Sequence, residues 1–380
     1  MKSSEYTIYS SSQEAWDGMF LALQKATKSI YWELYIFIDD EVGQSFFDVL
    51  EQKAKAGLDV KLIVDSFGSF WLSSKRIKSL KAAGVDFHFF QAGLKGFRGW
   101  WKRFCSRTHR KVLVIDETIG FIGGVNISKE TKDWLDIHVR LQGKVVRSLL
   151  RSFAKSYTLS GGKKKAVHHL LKYRYRTDHS LIDFVYDGPR KRHSPVRKKY
   201  VEALLKARER VILFSPYYFP DRKFLRALWR ARKRGVRIDL LIPFRTDLRI
   251  ATYVAYAWFL TLRSLGVHLH LTDKMMHGKG VIVDDEWAMI GSSNLEQASF
   301  YDLHEANVQI KDKAFVTPLK NILLRWIKGA KHIDDVQWAR RGRIHRLREY
   351  ISVFLYRIWH NKAYYGKPNS SRRSDTSKKS

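Results

Sequence analysis

Two stretches, His109-Arg-Lys-Val-Leu-Val-Ile-Asp-Glu-Thr-Ile-Gly-Phe-Ile-Gly-Gly-Val-Asn126 and His277-Gly-Lys-Gly-Val-Ile-Val-Asp-Asp-Glu-Trp-Ala-Met-Ile-Gly-Ser-Ser-Asn294, share the pattern H-x-K-x4-D-x6-G-[GS]-x-N. One match among 14 histidines would carry little weight. A second copy with the same onward spacing to Gly and Asn makes the pattern an internal repeat. Each copy reads as a strand, a turn near Glu117-Thr118 or Asp285-Glu286, and a returning strand. His and Lys two apart on a strand face the same side, so each copy offers both to one cavity. The hairpin brings Asn126 back opposite His109 and Asn294 back opposite His277.

The repeat extends outward from the motifs. In the first half, an amphipathic segment (Trp16, Phe20, Leu23) precedes a buried strand at Ser29 to Phe37, then a helical stretch and a strand at Asp59 to Val64. In the second, Arg210 to Phe219 reads as a strand, Asp221 to Arg234 as a helix and Val236 to Ile242 as a strand, with Gly57 and Gly235 at equivalent helix ends. Leu80-Lys-Ala-Ala-Gly-Val-Asp-Phe-His-Phe89 likewise matches Leu262-Arg-Ser-Leu-Gly-Val-His-Leu-His-Leu271. Alternating strands and helices predict an α/β fold of two similar lobes, each a mixed sheet flanked by helices. The expected boundaries are a first lobe over 1–160, a basic connector over 161–198 and a second lobe over 199–330. A basic amphipathic helix over 331–366 and a disordered tail over 367–380 complete the chain.

Asp136 lies 27 residues after His109, and Glu305 lies 28 after His277, each in a strand-like stretch. A carboxylate on one ring nitrogen fixes the tautomer and frees the other nitrogen to attack phosphorus or donate a proton. Lys111, Lys279, Asn126 and Asn294, with Ser292 as a further phosphate-binding group, supply the charge and donors that phosphoryl transfer requires. This chemistry calls for no metal and no other cofactor. Asp116 and Asp284 either tie down the hairpin turn or support the site from behind. His138 and His304 read as structural.

There are 70 Lys and Arg against 37 Asp and Glu, a formal charge of +33, so polyanions are the expected partners. Composition leaves both nucleic acid and an anionic phospholipid membrane open. Cys105 is the lone cysteine, which excludes an internal disulfide framework and suits a reducing compartment. The polar start, Met1 to Glu14, lacks the pattern of a secretory signal, which makes the cytoplasm the default location. The longest uncharged apolar run, Ala251 to Leu260, is ten residues. A spanning helix needs about 20, so membrane contact is expected to be peripheral.

Directly before His109, Phe97, Trp100, Trp101 and Phe104 alternate with Lys95, Arg98, Lys102, Arg103 and Arg107. This mixture suits either a lipid interface or packing between lobes. Near the C-terminus, Ile344, Leu347, Ile351, Phe354, Leu355 and Ile358 form a helical stripe among arginines. It suits either a bilayer or the protein core.

The duplicated H-x-K-x4-D pattern resembles that of the phospholipase D superfamily over nearly all the chain to about residue 330. Within it the sequence is most similar to bacterial cardiolipin synthases of the type lacking N-terminal transmembrane helices. Asp65-Ser-Phe-Gly-Ser69, Tyr217-Tyr-Phe-Pro220, Gly291-Ser-Ser-Asn-Leu295, Trp134-Leu-Asp-Ile-His138 and His304-Glu-Ala-Asn307 carry that likeness. The resemblance implies two lobes related by a pseudo-twofold axis with the active site between them. It also implies phosphatidyl transfer from phosphatidylglycerol to an acceptor lipid hydroxyl through a phosphohistidine, with His109 as nucleophile and His277 as general acid. Glu33 matches an acidic position common in these synthases, whereas Ser215 stands at the second-half equivalent and Glu296-Gln-Ala-Ser299 departs from the usual residues. The implied location is peripheral, on the cytoplasmic side of the bacterial cell membrane, with phospholipids as substrates. A hydrolase or nuclease of the superfamily is the alternative reading, and a silent binding protein retaining the fold is a third.

Overall fold

Val112-Leu-Val-Ile115 and Gly280-Val-Ile-Val283 are fully buried apolar runs, and each becomes the central strand of a seven-stranded sheet. The structure, a computed structural model, describes residues 6–90, 107–173, 181–189, 193–331, 338 and 342–365. The first sheet is built from β1 (Tyr6–Ser11), β2 (Ser29–Leu34), β3 (Asp59–Asp65), β4 (Asp86–Phe90), β5 (Val112–Ile115), β6 (Ile119–Gly123) and β7 (Leu135–Gln142). The second uses β8 (Ile182–Asp187), β9 (Arg210–Phe214), β11 (Arg237–Pro243), β12 (His268–Thr272), β13 (Gly280–Val283), β14 (Trp287–Gly291) and β16 (Glu305–Ile310). Two short strands, β10 (Tyr218–Phe219) and β15 (Leu295–Glu296), pair in parallel beside it.

The strand orders are β1-β7-β6-β5-β2-β3-β4 and, reversed, β8-β16-β14-β13-β9-β11-β12. The sheets therefore match strand for strand: the central strand pairs antiparallel with both neighbours, and the three strands on one side of it run parallel to one another. The expected α/β architecture of two similar mixed sheets is what the chain adopts. One boundary needs correction: 161–198 is not merely a connector. It supplies β8, which pairs antiparallel with β16 as β1 pairs with β7. Ile182-Asp-Phe-Val-Tyr-Asp187 mixes buried and half-buried residues, as a strand at the sheet edge does.

Helices α1 (Ser12–Gln24), α2 (Glu41–Lys55) and α3 (Ser74–Ala82) belong to the first lobe, as does α4 (Val146–Leu159), which follows β7. A short α5 (His168–Leu171) leads on to α6 (Pro195–Lys206), α7 (Arg222–Lys233), α8 (Arg249–Tyr256), α9 (Phe259–Ser264) and α10 (Gln297–Tyr301). The equivalent of α4 is α11 (Lys313–Lys328), and α12 (Arg343–Tyr365) is last. Asp40 and Asp221 cap α2 and α7 by accepting from backbone N–H groups of the first turn. Gly57 and Gly235, at φ +89° and +85°, allow the chain to leave those helices.

Side chains of α4 and α11, such as Leu149, Phe153, Val316 and Leu319, share one core with the inner faces of both sheets, including Val114, Val139, Ile282 and Val308. Separate cores lie on the outer face of each sheet. Burying apolar surface from both repeats in one layer ties the lobes together, because neither half can cover that face alone.

Candidate active site

Both hairpins turn through residues with positive φ, Asp116 and Glu117 at 51° and 56°, Asp284 and Asp285 at 50° and 57°. Two consecutive left-handed residues make the type I′ turn that suits the twist of a two-stranded hairpin. The carboxylate of Asp116 accepts from the backbone N–H groups of Thr27, Lys28 and Ser29, at 2.7–3.2 Å. That of Asp284 accepts from Arg208, Glu209 and Arg210, at 2.8–3.0 Å. These aspartates tie each turn to the start of β2 or β9, at the opposite end of the central strand from the lysine. The reading that they support the site is thereby corrected.

At the other end, His109 and His277 lie on the extended approach to β5 and β13, not within the strands. The register, Val112 opposite Ile122 and Gly280 opposite Ile290, runs one residue short of the expected pairing of each histidine with its asparagine. The approach instead reaches across to the other lobe. The His109 N–H donates to the carbonyl of His304 (2.9 Å), and the His277 N–H to that of Leu135 (2.6 Å). The next residue in each case is the carboxylate. Glu305 receives His109 Nδ1 at 3.1 and 3.2 Å, and Asp136 receives His277 Nδ1 at 2.8 Å. Each carboxylate thus serves the histidine of the opposite lobe, an arrangement that fixes the tautomer and leaves Nε2 available for chemistry.

The histidines, Lys111, Lys279, Asn126 and Asn294 are all buried, as are both carboxylates. Lys111 Nζ donates to the His109 carbonyl at 2.7 Å, and Lys279 Nζ donates to that of His277. The side-chain oxygens of Asn126 and Asn294 have no hydrogen-bond partner among the described residues. Burial, reinforced by the neighbouring Lys279, holds the Lys111 ammonium well below its ordinary range, and burial brings Lys279 down to about 8. Burial and the Lys111 charge push His109 down to about 4, and burial with Lys279 lowers His277. Burial alone would raise Glu305 and Asp136, but their paired histidines outweigh it and leave both below the usual carboxylate range. Mutual repulsion of the two buried lysines is relieved by any anion placed between them, which a phosphate could supply.

The two halves differ in their supports. Glu305 also accepts from Ser292 Oγ and from Ser299 Oγ (2.7 Å). Ser292, expected to bind phosphate, therefore spends its hydroxyl on the carboxylate. At the equivalent place in the first lobe stands Gly124, where an added Cβ would meet the Asp136 carboxylate at 2.2 Å. Glu33 is buried beneath the site and accepts from Thr108 Oγ1; its carboxyl is pushed up by burial, against the pull of Arg110. Ser215, its counterpart, instead joins Tyr217 O and Leu295 N, at 2.7 and 3.0 Å, holding the loop beside β10 and β15. His138 and His304 are largely buried, with rings against Phe121 and Phe90, and burial lowers both, to about 4 and about 3.

Sequence reasoning assigned no role in the site to Tyr35, Trp134 or Ser299. Tyr35 and Trp134 place rings 5.0 and 5.1 Å from His109 and His277, and Tyr35 also lies under Lys111 Nζ at 5.1 Å. The signal for Tyr35 was its position two residues after Glu33, matched by Tyr217 two after Ser215. Phe97, Trp100, Trp101 and Phe104 lie outside the described residues.

The family described as "Cardiolipin synthase, PLD-like domain" matches this chain over residues 19–155 and 200–327. The chain belongs to that family. It is accordingly a phosphatidyltransferase of the phospholipase D superfamily. The cardiolipin synthase of Geobacillus thermodenitrificans is 31% identical over 362 residues, covering 93% of this chain and 72% of that protein. That of Halalkalibacterium halodurans is 32% identical over 357 residues, covering 90% and 70%. Among solved structures, a phosphatidylserine synthase of Haemophilus influenzae superposes with a TM-score of 0.70 at 16% identity, covering 94% of this chain and 93% of that one. A polyphosphate kinase of Porphyromonas gingivalis gives 0.56 at 14%, covering 94% and 56%. At such identities these two show the fold alone.

Proposed function

We propose that this phosphatidyltransferase makes cardiolipin from two molecules of phosphatidylglycerol through a phosphatidyl-histidine. The observation that carries the reading is the crossed pair His109–Glu305 and His277–Asp136 around two buried lysines. The His109 Nε2 attacks phosphorus, the bond to the headgroup glycerol breaks, and His277 gives that oxygen its proton. A hydroxyl of the second phosphatidylglycerol then loses its proton to His277 and attacks the same phosphorus, releasing cardiolipin and free His109. One phosphodiester replaces another, so no activated lipid is consumed.

Two features support His109 as nucleophile. Its ring is neutral at physiological pH, held down to about 4, and its carboxylate is fixed by two further hydroxyls. His277 has Asp136 at the shorter distance, and that carboxylate opposes the lowering of its ring by burial and Lys279, in the direction a general acid needs. The lipid substrate rests on the cardiolipin synthase relatives, and the +33 charge favours peripheral work at the anionic, cytoplasmic face of a bacterial membrane. Among the described residues no helix is long and apolar enough to cross a membrane.

The test is mass spectrometry of lipids after the purified protein meets phosphatidylglycerol vesicles with chelator present, beside a His109→Ala control. Cardiolipin and glycerol in equal amounts are expected. Phosphatidic acid alone would make it a hydrolase, and cleavage of nucleic acid without lipid products would make it a nuclease.

A further inference from the structure

Helix α12 packs on the protein with the wrong face for an ordinary amphipathic helix. Glu349, Ser352 and Tyr356 are its buried positions, whereas Ile344, Leu347, Ile351, Phe354 and Leu355 stay 67, 57, 45, 53 and 46% exposed. At about 100° per residue the exposed five fall within an arc of about 100°, roughly opposite the docked face. Five aliphatic and aromatic side chains in one outward stripe are a poor match to water. The docked face is held firmly: the Tyr356 ring lies 4.3 Å from Phe219, and Arg348 donates to Tyr253 of α8 at 3.4 Å.

The docked face of α12 reaches the active site. Tyr356 Oη donates to Glu296 at 3.3 Å, and the other Glu296 oxygen accepts from Asn294 Nδ2 at 3.1 Å. One side chain thus separates α12 from a site asparagine. Across the lobes, the loop after β3 ends in Phe70 and Trp71, 71 and 78% exposed. That loop is joined to the site through Ser69 Oγ, which donates to the carbonyl of Tyr35 at 3.0 Å, beside His109.

We propose that the outward stripe of α12 is a docking surface that seats the protein on an anionic bilayer, with the exposed Phe70–Trp71 tip as a second contact. This rests on the phosphatidyl-transfer reading for its purpose, but not for its geometry. The charges decide between occupants: Arg343 and Arg348 are exposed at the two edges of the stripe on a chain of +33. They complement lipid phosphates, whereas a second copy would bring like charges together. Docking by these side chains holds the helix in the interfacial plane and keeps the protein at the lipid surface.

The experiment compares the wild-type chain with Leu347→Glu/Ile351→Glu and with Phe70→Ser/Trp71→Ser. Each is measured for cosedimentation with vesicles of phosphatidylglycerol and phosphatidylcholine, for turnover on those vesicles, and for turnover of dihexanoyl-phosphatidylglycerol dispersed below its micelle concentration. The expected result is a fall in vesicle binding and vesicle turnover of about tenfold or more for each pair, with dispersed turnover within about twofold of wild type. Unchanged cosedimentation overturns the proposal. So does a wild-type dimer that the α12 variant dissolves while vesicle binding persists. A wild-type chain that binds vesicles but transfers no lipid in either form refutes the phosphatidyl-transfer reading and leaves the docking surface standing. Should a double variant misfold, an environment-sensitive dye on Leu347→Cys in a Cys105→Ser chain decides: its emission shifts to the blue on anionic vesicles, and an unshifted spectrum overturns the proposal.

Discussion

Replacing Glu305 with Gln keeps the side chain's length but gives His109 a neutral amide in place of a carboxylate, and Asp136→Asn does the same to His277. Each change should lower kcat on the order of 10²–10⁴-fold, because tautomer and charge stabilisation are lost together. Circular dichroism should show both variants folded, and wild-type kcat in either would contradict the crossed pairing. The lysines set a pH limit. Lys279 is held down to about 8 by burial, so its positive charge is lost as pH rises through that value instead of near 10.5. In a kcat/KM profile from about pH 6 to about pH 10, activity should decline above about pH 8, and a plateau to the upper limit would be contrary to it. At this scale the motif residues themselves were legible, since His, Lys and Asn repeat at fixed spacing. The partner of each histidine was not: offsets of 27 and 28 place a carboxylate beside the same motif in sequence, whereas the bonds join residues 141 and 196 apart. Spacing along a chain carries no information on which lobe a strand end will face.

Among the elements, the hairpin is where the motif's aspartate belongs. Asp116 and Asp284 sit at positive φ and hold the first residues of β2 and β9 through three backbone N–H groups each. Asp116→Ala and Asp284→Ala should each cost about 1–3 kcal/mol of stability and leave kcat per folded molecule within about twofold. Urea titration and single-turnover assays check the two parts separately, and a large loss of kcat with unchanged stability would return these residues to the site. The strands around the motifs were legible because they are short apolar runs bounded by Gly, Asp or Pro. The edge strands were not. Tyr6-Thr-Ile-Tyr-Ser-Ser11 and Ile182-Asp-Phe-Val-Tyr-Asp187 bury only part of their surface, and basic sequence around the second disguised it as a connector. Recognising β8 as the counterpart of β1 moves the start of the second repeat to about residue 182.

For the whole molecule, the two repeats form one enzyme because each lacks something the other provides. Each histidine borrows its carboxylate, and α4 and α11 share a single core with the inner faces of both sheets. Residues 1–160 and 161–380 expressed separately should each be inactive and prone to aggregate, and mixing them during refolding should restore turnover. Activity in either piece alone, at any protein concentration, would contradict a shared site. The most direct measurement is rapid quenching of wild-type protein with phosphatidylglycerol, followed by peptide mass spectrometry under alkaline conditions that preserve phosphohistidine. The account predicts a phosphatidyl adduct on the peptide carrying His109, formed within the first turnover and discharged by acceptor lipid. Cardiolipin formed with no adduct, or an adduct on His277 alone, would contradict it.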